Sequence, residues 1–236
     1  MYHNNTFYQA KPMSTDSQRT AGYISVGYDQ NVGYQGLDEI NMWVLKMHMA
    51  HTFENFNLSY GAYGFTGNYN NKTTLPGPVD NVENVGNAYF TNKATSGFGL
   101  NTSANYYIRS GRTDIRIIGL ELGYNNESGD YLNYRRSASS LPNIFTDPSS
   151  NIFTAGLNSE IIWHNKKDPS IQYGFKLYMG TVFGDHTYVN TNSSNTIGNF
   201  NATTLDGSFS FFFQLKRYFL VFDGNNGVTW SLGLKL

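Results

Sequence analysis

Apolar and polar side chains alternate along most of this chain with a period of two, the pattern of strands whose two faces meet different surroundings. It is plainest in NMWVLKMHMAH (41–51), where Trp43, Leu45, Met47 and Met49 share one parity and Lys46 and His48 the other. The same reading predicts strands near 21–29, 40–52, 56–65, 90–106, 115–124, 153–164, 171–180, 208–216, 218–222 and 228–236. In SFSFFFQLK, Phe209, Phe211, Phe213 and Leu215 oppose Ser210, Gln214 and Lys216; in the last strand Trp230, Leu232 and Leu234 oppose Thr229, Ser231 and Lys235. No helix is predicted. Residues 1–19 are polar and irregular and read as an extended leader, with residues 20–236 as one barrel domain. The expected fold is all-β: a single antiparallel up-and-down β-barrel of about ten strands, with eight as the alternative if the first strand and YFLVF are not separate members.

Which parity faces outward decides what the barrel is. A soluble lipocalin-like barrel with an apolar interior would show the same alternation. Loop lengths favour the reverse. TFEN, RSGRTD, NKKDPS and a tight turn near Lys216 alternate with three long polar loops, at about 68–87, 125–151 and 184–205. Transmembrane barrels sort their connections this way, with short periplasmic turns and long external loops. The bulky rows also run for about 9–11 residues per strand, enough to cross hydrocarbon at a tilt. Trp43, Trp163 and Trp230 fall near strand ends, as in an aromatic girdle. Trp43, Leu45, Met47, Met49, Phe209, Phe211, Phe213 and Trp230 are therefore expected to face lipid or a partner. Lys46, His48, Glu121, Glu160, Lys176, Gln214 and Lys216 are expected in the lumen, because nothing in hydrocarbon satisfies a charge. Buried charges there must pair, and the expected pairs join Glu121 or Glu160 to Lys46 or Lys176.

Composition supports this arrangement. Charged residues are only 14% of the 236, while aromatics reach 16%; ordinary soluble domains carry about 25% charge. Mean hydropathy is nonetheless negative, at −0.43, as expected when apolar residues occupy alternate positions only. A formal charge of −1 gives no reason to expect nucleic acid as a partner. Without cysteine there is no disulfide framework or thiolate site. No apolar run is long enough for a spanning helix, and MYHNNTFYQAKPM has no signal-peptide pattern, so an exported protein would be represented here by its mature form.

Four stretches, NTFYQAKPM, TAGYISVGY, MWVLKMHMAHTFENFNLSYGAYGF and SFSFFFQLKRYFLVFDGNNGVTWSLGLKL, resemble in pattern a family of outer-membrane β-barrel lipoproteins from Bacteroidota. The resemblance implies an outer-membrane location, a lipid anchor on an N-terminal Cys, and an accessory role beside larger outer-membrane machines. This sequence has no cysteine to carry the anchor. The implied partners are outer-membrane lipids, lipopolysaccharide and a larger barrel complex.

Catalysis is the competing expectation, since small outer-membrane barrels include lipid A acyltransferases and deacylases, which use His with Ser and an acid. His51 and His164 fall near short turns, with Ser59 and Glu160 not far away in sequence, but no Gly-x-Ser-x-Gly elbow accompanies them. No catalytic residue or cofactor is assigned. Metal binding is also unsupported: His48 and His51 lie on opposite faces of a strand, and Asp185–His186 stand without further ligands; His3 lies in the leader. The basic stretch RRSASS (135–140) is a candidate contact for lipopolysaccharide.

Overall fold

The computed structural model describes residues 7–32, 38–71, 92–138, 145–183, 187–189, 197–199, 204–224 and 227–236; His3, Asp185 and His186 lie outside them. Ten strands close into one antiparallel barrel: β1 (Thr20–Val32), β2 (Asp38–Thr52), β3 (Phe56–Asn71), β4 (Lys93–Ser110), β5 (Thr113–Ser128), β7 (Asn151–His164), β8 (Ile171–Phe183), β11 (Thr204–Leu215), β12 (Tyr218–Gly224) and β13 (Gly227–Lys235). Each pairs with its neighbour in the meander, and β1 closes the ring by pairing with β13 through Tyr28↔Trp230 and Ile24↔Leu234. With an even strand number, Thr20 and Leu236 lie at the same end as the short turns, and the long connections leave from the opposite end. A small sheet of β6 (Phe145–Thr146), β9 (Thr187–Val189) and β10 (Ile197–Asn199) lies outside the ring.

One helix departs from the all-strand expectation. Helix α1 (Asp130–Ala138) follows Gly129, whose φ of +109° only glycine adopts without strain. Asp130 in its first turn and Arg135 and Arg136 in its last complement the helix dipole. Tyr131, Leu132 and Arg135 are buried, so the helix presses one face inward. Its period was hidden in the sequence by a nine-residue length inside a polar loop.

The bulky parity faces out. Trp43 is 53% and Met47 55% exposed, and Leu45, Met49, Phe209, Phe211, Phe213 and Trp230 are exposed beside them. Between the aromatic girdles no outward-facing residue of the described barrel strands is charged. One girdle, toward the long loops, contains Tyr28, Trp43 and Trp230 in contact, with Phe98, Tyr124 and Phe153 farther round. The other, toward the turns, contains His51, Phe53, Phe56 and Tyr60, and across the barrel Trp163, Tyr173 and Phe213. Phe153 and Trp163 mark the two levels on one strand. At about 3.3 Å per residue and a tilt of about 40°, their separation is roughly 25 Å along the barrel axis, the height of the apolar band of membrane barrels. A soluble exterior would place charge, not Leu and Phe, along these rows, so the lipocalin-like alternative fails. Among the described residues no helix is long and apolar enough to cross a membrane; the strands do the crossing.

The inner face is not uniformly polar. Toward the loops, Ile40, Met42, Val44, Tyr63, Phe65 and Tyr69 cluster with Tyr131 of α1. Small residues make room for them: a Cβ on Gly99 would sit 2.1 Å from the Tyr63 ring, and one on Gly97 2.5 Å from that of Phe65. Two consecutive isoleucines break the alternation of β5. Ile117 and Ile118 are both about half exposed, and pairing with β4 and β7 slips there. This bulge turns Asp114 and Arg116 inward on one side and Gly119 and Glu121 inward on the other.

Candidate functional site

The lumen is filled by the chain's own N-terminal segment. This stretch forms no helix or strand, as its polar irregular sequence implies, but residues 7–14 are buried inside the ring. Pro12 and the absence of alternation keep it from joining the wall as an eleventh strand. Its backbone is instead held by side chains of the wall. His48 Nε2 donates to the Ala10 carbonyl (2.8 Å), Thr52 to that of Pro12 (2.8 Å), and Arg116 also to that of Pro12 (3.3 Å). Asp114 accepts from both the backbone N–H (2.6 Å) and the hydroxyl (2.5 Å) of Ser14. At the turn-side mouth Asp16 accepts from Gln172 (2.9 Å) and Lys235 (3.2 Å).

The segment's side chains read the wall in turn. Phe7 meets Tyr63 edge-on at 4.9 Å and lies 4.7 Å beneath the Lys46 ammonium. Tyr8 stacks on Phe212 at 5.2 Å and donates its hydroxyl to Glu160. Gln9 bridges β3 and β4, accepting from Ser59 (2.8 Å) and donating to Asn101 (2.9 Å). Lys11 donates to Asn105 (3.0 Å) and lies 3.6 Å from Glu160.

Two buried ion pairs belong to the wall alone. Arg116 lies 2.5 Å from Glu160, and Lys176 2.6 Å from Glu121, which also accepts from Asn158 (3.1 Å). The expected Glu121–Lys176 pair is therefore present, whereas Glu160 takes Arg116 and Lys11 as its partners. Lys46 donates to Ser231 (2.7 Å) and feels the charges of Asp29 and Asp223. Gln214 faces inward and braces a turn by donating to the Lys216 carbonyl (2.9 Å). Lys216 itself is not a lumen residue. It is exposed in the two-residue turn between β11 and β12, at a φ of +55° that ends the strand's alternation. Glu121→Ala is expected to lower the unfolding temperature well below that of Lys167→Ala in the exposed turn, because Lys176 would stay buried without its partner. Thermal unfolding of the two variants in the same detergent checks this.

Sequence reading missed Lys11, Asp114 and Arg116, all buried. The Ile117–Ile118 pair was the available signal for Arg116, since consecutive bulky residues in an alternating strand mark a bulge. The residues weighed for catalysis do not meet. His51 faces outward against Thr20 (3.1 Å) and Tyr60 (3.2 Å), while Ser59 faces inward toward Gln9. The His164 ring donates to the Asn165 carbonyl (3.1 Å), and Glu160 is held by Arg116 and Tyr8. Of the basic stretch, Arg135 is buried in a pair with Glu127, and Arg136 is exposed.

Burial holds the Lys11 ammonium down to about 8, from 10.5, with Glu160 and Glu121 opposing the fall and Arg116 and Lys176 adding to it. His48 also feels its charge. Burial and Glu160 together push the Tyr8 phenol up, so it remains a proton donor. The Lys11 charge thus weakens docking of the segment at neutral pH. That penalty lifts as pH rises from about 8 toward the ordinary lysine value. The unfolding temperature of the intact chain should therefore rise over this interval relative to Lys11→Met, whose docked segment has no charge to lose.

These features define a class: a transmembrane β-barrel with an apolar exterior and a lumen occupied by its own N-terminal segment. No protein-family model matches the chain, and no curated protein matches it. Solved structures similar in extent include an outer membrane channel from Pseudomonas putida F1, at 8% identity and a TM-score of 0.45, covering 97% of this chain and 100% of that one. The translocator domain of the autotransporter NalP from Neisseria meningitidis aligns at 6% identity and 0.43, over 94% and 89% of the two chains. The transport unit of AIDA-I from Escherichia coli aligns at 8% and 0.39, over 96% and 92%.

Proposed function

We propose that this protein is an integral outer-membrane barrel with a structural or accessory role, acting as a subunit of a larger outer-membrane assembly rather than as an enzyme. The observation that carries the reading is the filled lumen beneath an uncharged exterior. Residues 7–14 occupy the interior, so the resting barrel offers the membrane a surface rather than a conduit. Sorting of short turns and long loops to opposite ends supports periplasmic turns and termini, with the loops outside. Membrane lipids are its first partners; in the RRSASS stretch Arg136 is exposed while donating to the Pro148 carbonyl (3.2 Å), and it is the described cation of that stretch nearest to hand for lipopolysaccharide.

Two measurements test this. Unboiled protein should migrate differently from boiled protein on SDS gels, as closed membrane barrels do. Mild-detergent extraction of native membranes should bring down a larger barrel protein with it; recovery solely as a lone monomer would remove the accessory role and leave the barrel assignment intact.

A further inference from the structure

We propose that residues 7–16 are a releasable plug, and that the barrel beneath it is a gated passage for small cations. This rests on the filled lumen described above and goes beyond a structural role.

Three observations converge. First, the wall's two ion pairs close without the segment. Arg116–Glu160 and Lys176–Glu121 are wall-to-wall pairs, and Lys46 has Ser231 with Asp29 and Asp223 near it. Withdrawal takes away one cation, Lys11, and leaves Glu160 still paired with Arg116. Asp114, which accepts from Ser14 while the segment is docked, passes to water when it leaves.

Second, the segment is attached so that it can leave toward the turn-side mouth. It joins β1 at that end, where Asp16 meets Lys235 and Gln172 at partly exposed positions. Deeper in, it is held by individual side-chain bonds and forms no β-ladder with any wall strand. Phe7, its first described residue, is one member of the aromatic and aliphatic cluster that narrows the lumen toward the loops. The space these residues occupy, continuous from Asp16 to Phe7, is the space their departure opens.

Third, the uncovered wall has a sign. Its buried carboxylates are Asp29, Asp114, Glu121, Glu160 and Asp223, against the cations Lys46, Arg116 and Lys176. The Glu127–Arg135 pair nearer the loops adds no net charge. An excess of carboxylates along a narrow passage favours cations over anions. Tyr63, Phe65, Tyr69 and Tyr131 form a second, apolar constriction in series, of the kind that limits flow by excluding water.

Planar bilayer recordings in a potassium chloride gradient test the proposal with four proteins. The intact chain should be silent or open rarely. A chain lacking residues 2–18 should show discrete conductance steps with a reversal potential on the cation side, and adding Tyr131→Ala should enlarge the steps. A full-length control keeps the test independent of refolding the truncated barrel. Because the chain has no cysteine, Ser14→Cys with Asp114→Cys can be bridged by a short bis-thiosulfonate reagent. Unbridged, this variant lacks the Ser14–Asp114 bonds and should open; its openings should vanish on bridging and return on reduction. Silence of both truncated proteins, with heat-modifiable gel mobility showing that they are folded, would overturn the passage while leaving the membrane-barrel reading untouched. Anion preference would overturn the assigned selectivity, and openings indifferent to bridging would overturn the plug.

Discussion

Arg116→Ala is expected to lower the stability of the folded barrel by about 3–5 kcal/mol, the scale observed when one partner of a buried ion pair is removed. Arg116 is 0% exposed, and one guanidinium nitrogen lies 2.5 Å from Glu160 while the other donates to the Pro12 carbonyl. Truncation would leave the Glu160 carboxylate with Lys11, 3.6 Å away, and the Tyr8 hydroxyl. Both belong to the segment whose docking Arg116 also secures, so the loss propagates from wall to plug. Arg116→Lys should not restore stability, since a single ammonium cannot reproduce the planar fork that spans Glu160 and Pro12. Arg116→Met with Glu160→Leu and Lys11→Met should recover much of it, because apolar side chains then replace all three buried charges and avoid the desolvation that the ions incur. Urea unfolding of the parent and these three variants in one detergent reads the differences. A loss below about 1 kcal/mol for Arg116→Ala would mean that the pair is solvated as a surface bridge is.

The ring itself was legible because alternation is local. Any strand with one face in lipid and one in the lumen must write that contrast every second residue, and β2 does so from Trp43 to Met49. The lumen set followed from the same parity for Lys46, His48, Glu121, Glu160, Lys176 and Gln214, all buried. Parity failed wherever the backbone broke it. Lys216 was assigned by counting on from Gln214, but the chain turns at that residue. Arg116 was assigned to no face, and the parity read from Ile118 onward does not reach it, because the bulge at Ile117–Ile118 shifts the count. The N-terminal segment was opaque for a different reason. It has no periodicity, and its place depends on contacts more than forty residues away in sequence, such as Gln9 with Ser59 and Asn101. Nothing in NTFYQAKPM distinguishes a peptide that threads a barrel from one that trails in solvent, although its aromatic, amide and lysine side chains are the groups the lumen then uses.

Met47→Arg is the second large effect, and it decides what lies outside the barrel. Met47 is 55% exposed and stands about midway between the Trp43 and His51 levels on β2. If acyl chains cover that position, an arginine there costs about 2–4 kcal/mol on folding into a bilayer, because its charge must be carried into hydrocarbon or reach out of it. Thr66→Arg provides the depth control. Thr66 is exposed, pairs with Trp43 across β2 and β3, and so lies near the interface, where the same charge costs about 0–1 kcal/mol. A water-covered exterior predicts a different pair of results: both substitutions would fall within about 0.5 kcal/mol of the parent, as surface changes usually do. Equilibrium unfolding by urea in lipid vesicles measures both variants under one condition. The contrast between them matters more than either value, since a general intolerance of arginine on β-strands would shift the two alike. Only a solvent that changes from headgroup to hydrocarbon along a single strand separates Met47 from Thr66, and the same change of solvent forces Lys46, one residue before Met47, to find its partners inside.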